Sequence, residues 1–144
     1  MIMNMVVEQL PQSSKRMIYN AENHSFMESD NDSLLFVRGV PYPYGWIKES
    51  GSPPGPHCDC VLVSQADYAL GDEVAIKIIG VFQRADGDHK YVVAETDCAA
   101  EDLAGLTEKE LLALKRLYPR IGRGEGWFGR ETALYCYEHC EKAL

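Results

Sequence analysis

A chain of 144 residues, 46% of them hydrophobic, is long enough for one buried core and short for two. Its net charge of −8, spread without blocks of like sign, opposes binding to nucleic acid or to an anionic membrane through the overall field. An anionic ligand on such a chain needs local lysines and arginines, or a bound cation.

The opening "MIMNMVVEQLPQSSKR" has no apolar run of signal-peptide length, and nowhere does the apolar content reach a membrane span. A cytoplasmic protein without membrane partners is expected. The five cysteines form an odd count, so reduced thiols are expected rather than a disulfide framework.

Residues 1–19 are expected as an N-terminal arm or an irregular first strand. "SLLFVRGV" (33–40), rich in branched and aromatic residues, predicts a strand, and a proline-punctuated turn then leads to a short strand over Trp46–Lys48. "GSPPGP" (51–56) must be a loop, because proline and glycine exclude regular structure. "CVLVS" (60–64) predicts a short buried strand. "EVAIKIIGVF" (73–82) and "KYVVAE" (90–95) predict two strands of a hairpin.

The pattern then changes to a helical period. Thr107 and Glu110 form a capping box, Leu111, Leu114, Leu117 and Tyr118 follow, and Pro119 ends the run. After the glycine-rich "GRGEGWFGR", residues 130–143 predict a terminal helix with Ala133, Tyr137 and Cys140 on one face. Strands followed by helices predict an α+β domain whose small barrel or curled sheet is covered on one side.

"DGDHK", at the tip of the hairpin, admits two readings. Asp-Gly is a favoured turn that needs no function. In an extended segment, however, Asp86, Asp88 and Lys90 would lie in one row, two hard oxygen donors beside an ammonium, suited to Mg²⁺ and phosphate together.

From about residue 20 onward the chain resembles, in order, the soluble inorganic pyrophosphatases of family I. "NAENHSF", "LLFVR", "YPYGWI", "CVLV", "LGDEVAIKIIGV", "DGDHKYVVA" and "LYP…EGW" are similar to successive segments of that family. The resemblance implies a closed five-stranded OB-type barrel with two flanking C-terminal helices, formed by residues 20–144. It implies Mg²⁺- or Mn²⁺-dependent hydrolysis of pyrophosphate or a related small phosphoanhydride, and it leaves a homo-oligomer open. It implies Asp59, Asp86 and Asp88 as metal ligands, with Asp59 and Asp88 catalytic. Lys90, Arg38, Tyr42, Tyr44 and Tyr118 would contact phosphate.

The family's Asp-Gly-Asp-x-x-Asp signature is replaced by "GPHCDC", in which Asp59 recovers one carboxylate after a one-residue shift. The early glutamate and lysine of the family fall near Arg16 and Ser25, and Pro119 stands after the late tyrosine. A non-catalytic barrel that binds a phosphate ligand or a protein is the alternative. "HCDC" with "CYEHC" offers a Zn²⁺ site as a further alternative, against which Cys136 and Cys140 read as helix packing. Arg116, Arg120, Arg123 and Arg130 form a basic patch near the connector.

Overall fold

The computed structural model describes residues 2–140 and 142. Strands β1 (Met3–Gln9), β4 (Tyr44–Ile47), β5 (Asp59–Leu62), β6 (Glu73–Gln83) and β7 (Lys90–Glu95) close into a barrel, because β1 pairs with both β4 and β6. The neighbour order is β1-β4-β5-β7-β6, and β8 (Gly126–Gly129) extends the sheet beyond β6. Only β5–β7 is parallel among these pairs. β2 (Lys15–Asn20) and β3 (Ser25–Asp32) form a separate antiparallel hairpin.

Alternation along the strands divides the apolar residues into two layers. Met3, Met5 and Val7 of β1 join Cys60 and Leu62 of β5, Val74 and Ile76 of β6, and Tyr91 and Val93 of β7 inside the barrel. Ala133, Cys136 and Tyr137 of α3 (Arg130–His139) pack into that layer. The intervening residues Val61, Val92 and Ala94 face outward, under Leu114 of α2 (Glu108–Lys115) and the loop residues Leu103, Leu106 and Leu117. A register shift between Ile78 and Gly80 lets Ile79 join the outer layer while Val81 returns to the inner one. The two C-terminal helices thus flank a closed OB-type barrel, as the sequence implied.

Several local expectations change. Residues 3–9 form a regular barrel strand with every second side chain buried. "SLLFVRGV" does not form a strand: Leu34–Val37 make the single-turn helix α1, with Leu35 buried and Leu34, Phe36 and Val37 exposed. Branched residues suit a pleated surface only where strand neighbours exist, and here none pairs with them. Helix α2 stops at Lys115, short of the predicted Tyr118. The expected run of α3 to 143 includes residues outside the described ones, and Cys140 already has extended backbone.

Candidate active-site cleft

One transverse row of the sheet carries the centre of the site. Trp46 of β4 faces Asp59 of β5, Asp59 faces Lys90 of β7, Lys90 faces Phe82 of β6, and Phe82 faces Trp127 of β8. Register partners on neighbouring strands project to the same face. The Lys90 ammonium therefore donates to Asp59 Oδ2 at 2.7 Å, and it also donates to Asp88 Oδ2 at 2.9 Å. The other Asp59 oxygen lies 3.0 Å from His57 Nε2, and His57 Nδ1 is 2.7 Å from the Gly55 carbonyl oxygen.

These contacts set the charges. Burial pushes the Asp59 carboxyl up, but the His57 hydrogen bond and the Lys90 charge outweigh it and hold the group at about 2. For Lys90 burial works downward, and the charge of Asp59 reverses the direction, so the ammonium is retained. His57 is raised, first by its bond to Asp59.

Around this row lies a cleft of about 1220 Å³. Arg38, Tyr44, Asp59, Asp88, Lys90 and Tyr118 all border it, so six of the residues expected at the site meet there. Tyr118 stacks on Phe82 with ring centroids 4.5 Å apart, and the Arg84 guanidinium lies 5.8 Å from the Tyr118 ring centroid. Burial raises the Tyr118 phenol while Lys90 and Arg84 pull it back. Burial, reinforced by Asp59, raises the Tyr44 phenol well above its ordinary value. Arg38 donates to the Leu117 carbonyl oxygen and so ties α1 to the segment before Tyr118.

The other two expected residues lie elsewhere. Tyr42 is buried in the outer apolar layer beneath α2 and does not border the cleft. Asp86 does not share a row with Asp88, because the chain turns between them at Gly87 (φ +83°) rather than running extended. Its Oδ1 accepts from the Asp88 amide at 2.9 Å, the local bond of an aspartate-initiated turn, and its Oδ2 is 3.6 Å from Arg84. The turn reading thus describes Asp86, while Asp88 and Lys90 belong to the cleft.

Three further residues border the cleft beyond those expected to hold metal or phosphate. Glu8, on the cleft side of β1, has its carboxyl raised to about 7, first by burial and then by the Asp59 charge. Its signal was the alternation of Met3, Met5 and Val7 with Glu8 on the opposite face. Arg16 borders the cleft, whereas Ser25 bonds Asn23 at the hairpin tip. Arg84 also borders the cleft, with its Nη1 3.7 Å from Asp88 Oδ2.

The soft-metal alternative is divided by strand alternation. His57 and Asp59 border the cleft, while Cys58 and Cys60 enter the barrel interior. Cys58 Sγ lies 2.8 Å from Cys140 Sγ, both as free thiols, and burial pushes the Cys58 thiol up to about 12. Among the described residues, no three His, Cys, Asp or Glu side chains come together as a metal cage.

A divalent cation fits this donor set in one way. Asp59 and Asp88 bring two carboxylates to within hydrogen-bonding reach of the same point, now held by the Lys90 ammonium. Magnesium commonly takes one or two carboxylates and completes its shell with water and substrate phosphate oxygens. The residues suit a cation that arrives with a phosphate ligand, not a cage made by protein alone.

No family model and no curated protein matches the sequence. Solved structures do match its fold. The chain is similar to an inorganic pyrophosphatase from Neisseria gonorrhoeae, with 22% identity and a TM-score of 0.74, over 96% of this chain and 88% of that one. It is similar to inorganic pyrophosphatase from Ehrlichia chaffeensis, with 18% identity and a TM-score of 0.75, over 95% of this chain and 91% of that one. The Helicobacter pylori inorganic pyrophosphatase gives 16% identity and a TM-score of 0.70, over 95% of this chain and 89% of that one. By these likenesses the chain has the fold of the inorganic pyrophosphatases.

Proposed function

We propose that this chain is a divergent phosphoanhydride hydrolase acting on inorganic pyrophosphate or a related small phosphoanhydride. The observation that carries this reading is the convergence of Asp59 and Asp88 on Lys90, in a cleft also bordered by Arg16, Arg38 and Arg84. These four basic groups stand beside the carboxylates of Glu8, Glu22, Asp32, Asp59 and Asp88, so a small polyanion would be held by them together with a bridging cation.

Each group has a role in this reading. Lys90 and Arg84 take phosphate oxygens, and the Tyr118 hydroxyl donates to one of them. Asp59 and Asp88 would hold Mg²⁺ or Mn²⁺, which when bound neutralises the anion and polarises its phosphoryl oxygens. Glu8, with its carboxyl near 7, is a proton acceptor poised for neutral pH.

Phosphate release from pyrophosphate in Mg²⁺ or Mn²⁺ tests the proposal, alongside Asp88→Asn. The Asp88 side chain is 58% exposed, so this variant is expected to fold. The expected result is turnover by the parent and at least a tenfold loss in the variant. A background rate in the parent rejects hydrolysis, and equal turnover in both rejects the role assigned to Asp88.

A second reading, binding without turnover, is favoured by one observation: both Asp59 oxygens already have protein partners, His57 and Lys90. Calorimetry separates the two, since heat of binding without phosphate release supports the module.

A further inference from the structure

The cleft is large for pyrophosphate. Its volume of about 1220 Å³ exceeds the roughly 300–1,000 Å³ typical of pockets that enclose drug-sized ligands, and pyrophosphate is far smaller than those. Its walls also differ in chemistry. The barrel wall carries the charged row with Asp88, Arg84 and Tyr118. The side supplied by the β2–β3 hairpin and α1 also brings charged groups, Arg16 and Arg38 among them, but it adds Ile18, Met27 and Leu34, whose exposures of 53%, 60% and 50% leave large apolar surface uncovered. Asn20 and Asn31 border the same wall and place amides beside these apolar groups.

A bare diphosphate would engage the charged groups and leave Ile18, Met27 and Leu34 wet. A nucleoside carries what the second wall is suited to take. Its base has an apolar face for isoleucine, methionine and leucine, and polar edges for side-chain amides.

We propose that the ligand class of this cleft is a nucleoside polyphosphate, with phosphates on Lys90, Arg84 and Tyr118 and the base against Ile18, Met27 and Leu34. This rests on the reading of the cleft as a phosphoanhydride site and narrows its ligand. The apolar wall adds affinity by covering apolar surface that water now covers.

The test is calorimetric titration of the full chain, in Mg²⁺, with adenosine 5′-diphosphate, guanosine 5′-diphosphate and pyrophosphate. At least one nucleotide is expected to bind tenfold or more tightly than pyrophosphate. The double variant Ile18→Ser, Met27→Ser changes only exposed side chains. It should bring that nucleotide down to the pyrophosphate affinity and leave pyrophosphate binding unchanged. Pyrophosphate binding as tightly as both nucleotides, or a double variant that weakens all three alike, overturns the nucleotide proposal while leaving the phosphoanhydride reading intact. No binding of any of the three overturns both.

Discussion

Asp59 and Lys90 are register partners on the parallel strands β5 and β7, and their side chains meet at 2.7 Å with 16% and 7% of their surface exposed. The pair is largely desolvated, so removing one partner strands the other's charge. Lys90→Met is expected to lower unfolding free energy by about 3 kcal/mol, and adding Asp59→Asn to restore on the order of 1 kcal/mol of it. Denaturant titration of both single variants and the double variant measures this coupling. Strict additivity would mean that the pair does not interact as described.

Glu8 and Asp59 give stability opposite pH dependences. The Glu8 carboxyl is raised from its ordinary 4.5 to about 7, so the folded chain holds a proton that the unfolded chain releases. Its contribution is full below 4.5 and declines as pH rises to about 7, by on the order of 2 kcal/mol after allowance for partial exposure. Asp59, lowered from 3.8 to about 2, contributes above 3.8, and that contribution is lost as pH falls through 2. Unfolding midpoints of the parent and Glu8→Gln between pH 4 and 8 should differ in slope, with the variant flatter. Parallel curves would contradict a raised Glu8.

Gly45 packs against β1 more closely than a side chain permits. A Cβ placed there would lie 1.8 Å from the Val6 carbonyl oxygen, which is backbone and held in the barrel. Gly45→Ala is expected to cost several kcal/mol, on the order of 4, and to reduce soluble expression. A variant with parental thermal stability would show that the β1–β4 contact relaxes freely.

Thr107 closes a capping box at the start of α2. Its Oγ1 accepts from the Glu110 amide at 3.1 Å, and Glu110 Oε1 accepts from the Thr107 amide at 2.9 Å. Thr107→Ala should destabilise by about 1 kcal/mol without altering ligand affinity, because no residue of α2 itself borders the cleft. A change in pyrophosphate affinity would tie α2 to the cleft.

What the sequence alone determined were features written in local spacing. The alternation over 73–82 and 90–95 specifies two strands, Thr107 with Glu110 specifies a helix start, and Asp88 with Lys90, two residues apart, marks part of the cleft. The collinear segments, down to "YPYGWI", carried the barrel. Tertiary structure decided the rest. Whether Asp59 meets Lys90, 31 positions away, depends on a parallel pairing that no local pattern encodes. Glu8 belongs to the site only because β1 closes the barrel between β4 and β6. Leu34–Val37 turn helical although their composition suits a strand, since no neighbour offers a ladder there. Short-range periodicity expresses the conformation of one segment, while charge, burial and ligand geometry arise from which segments are brought side by side.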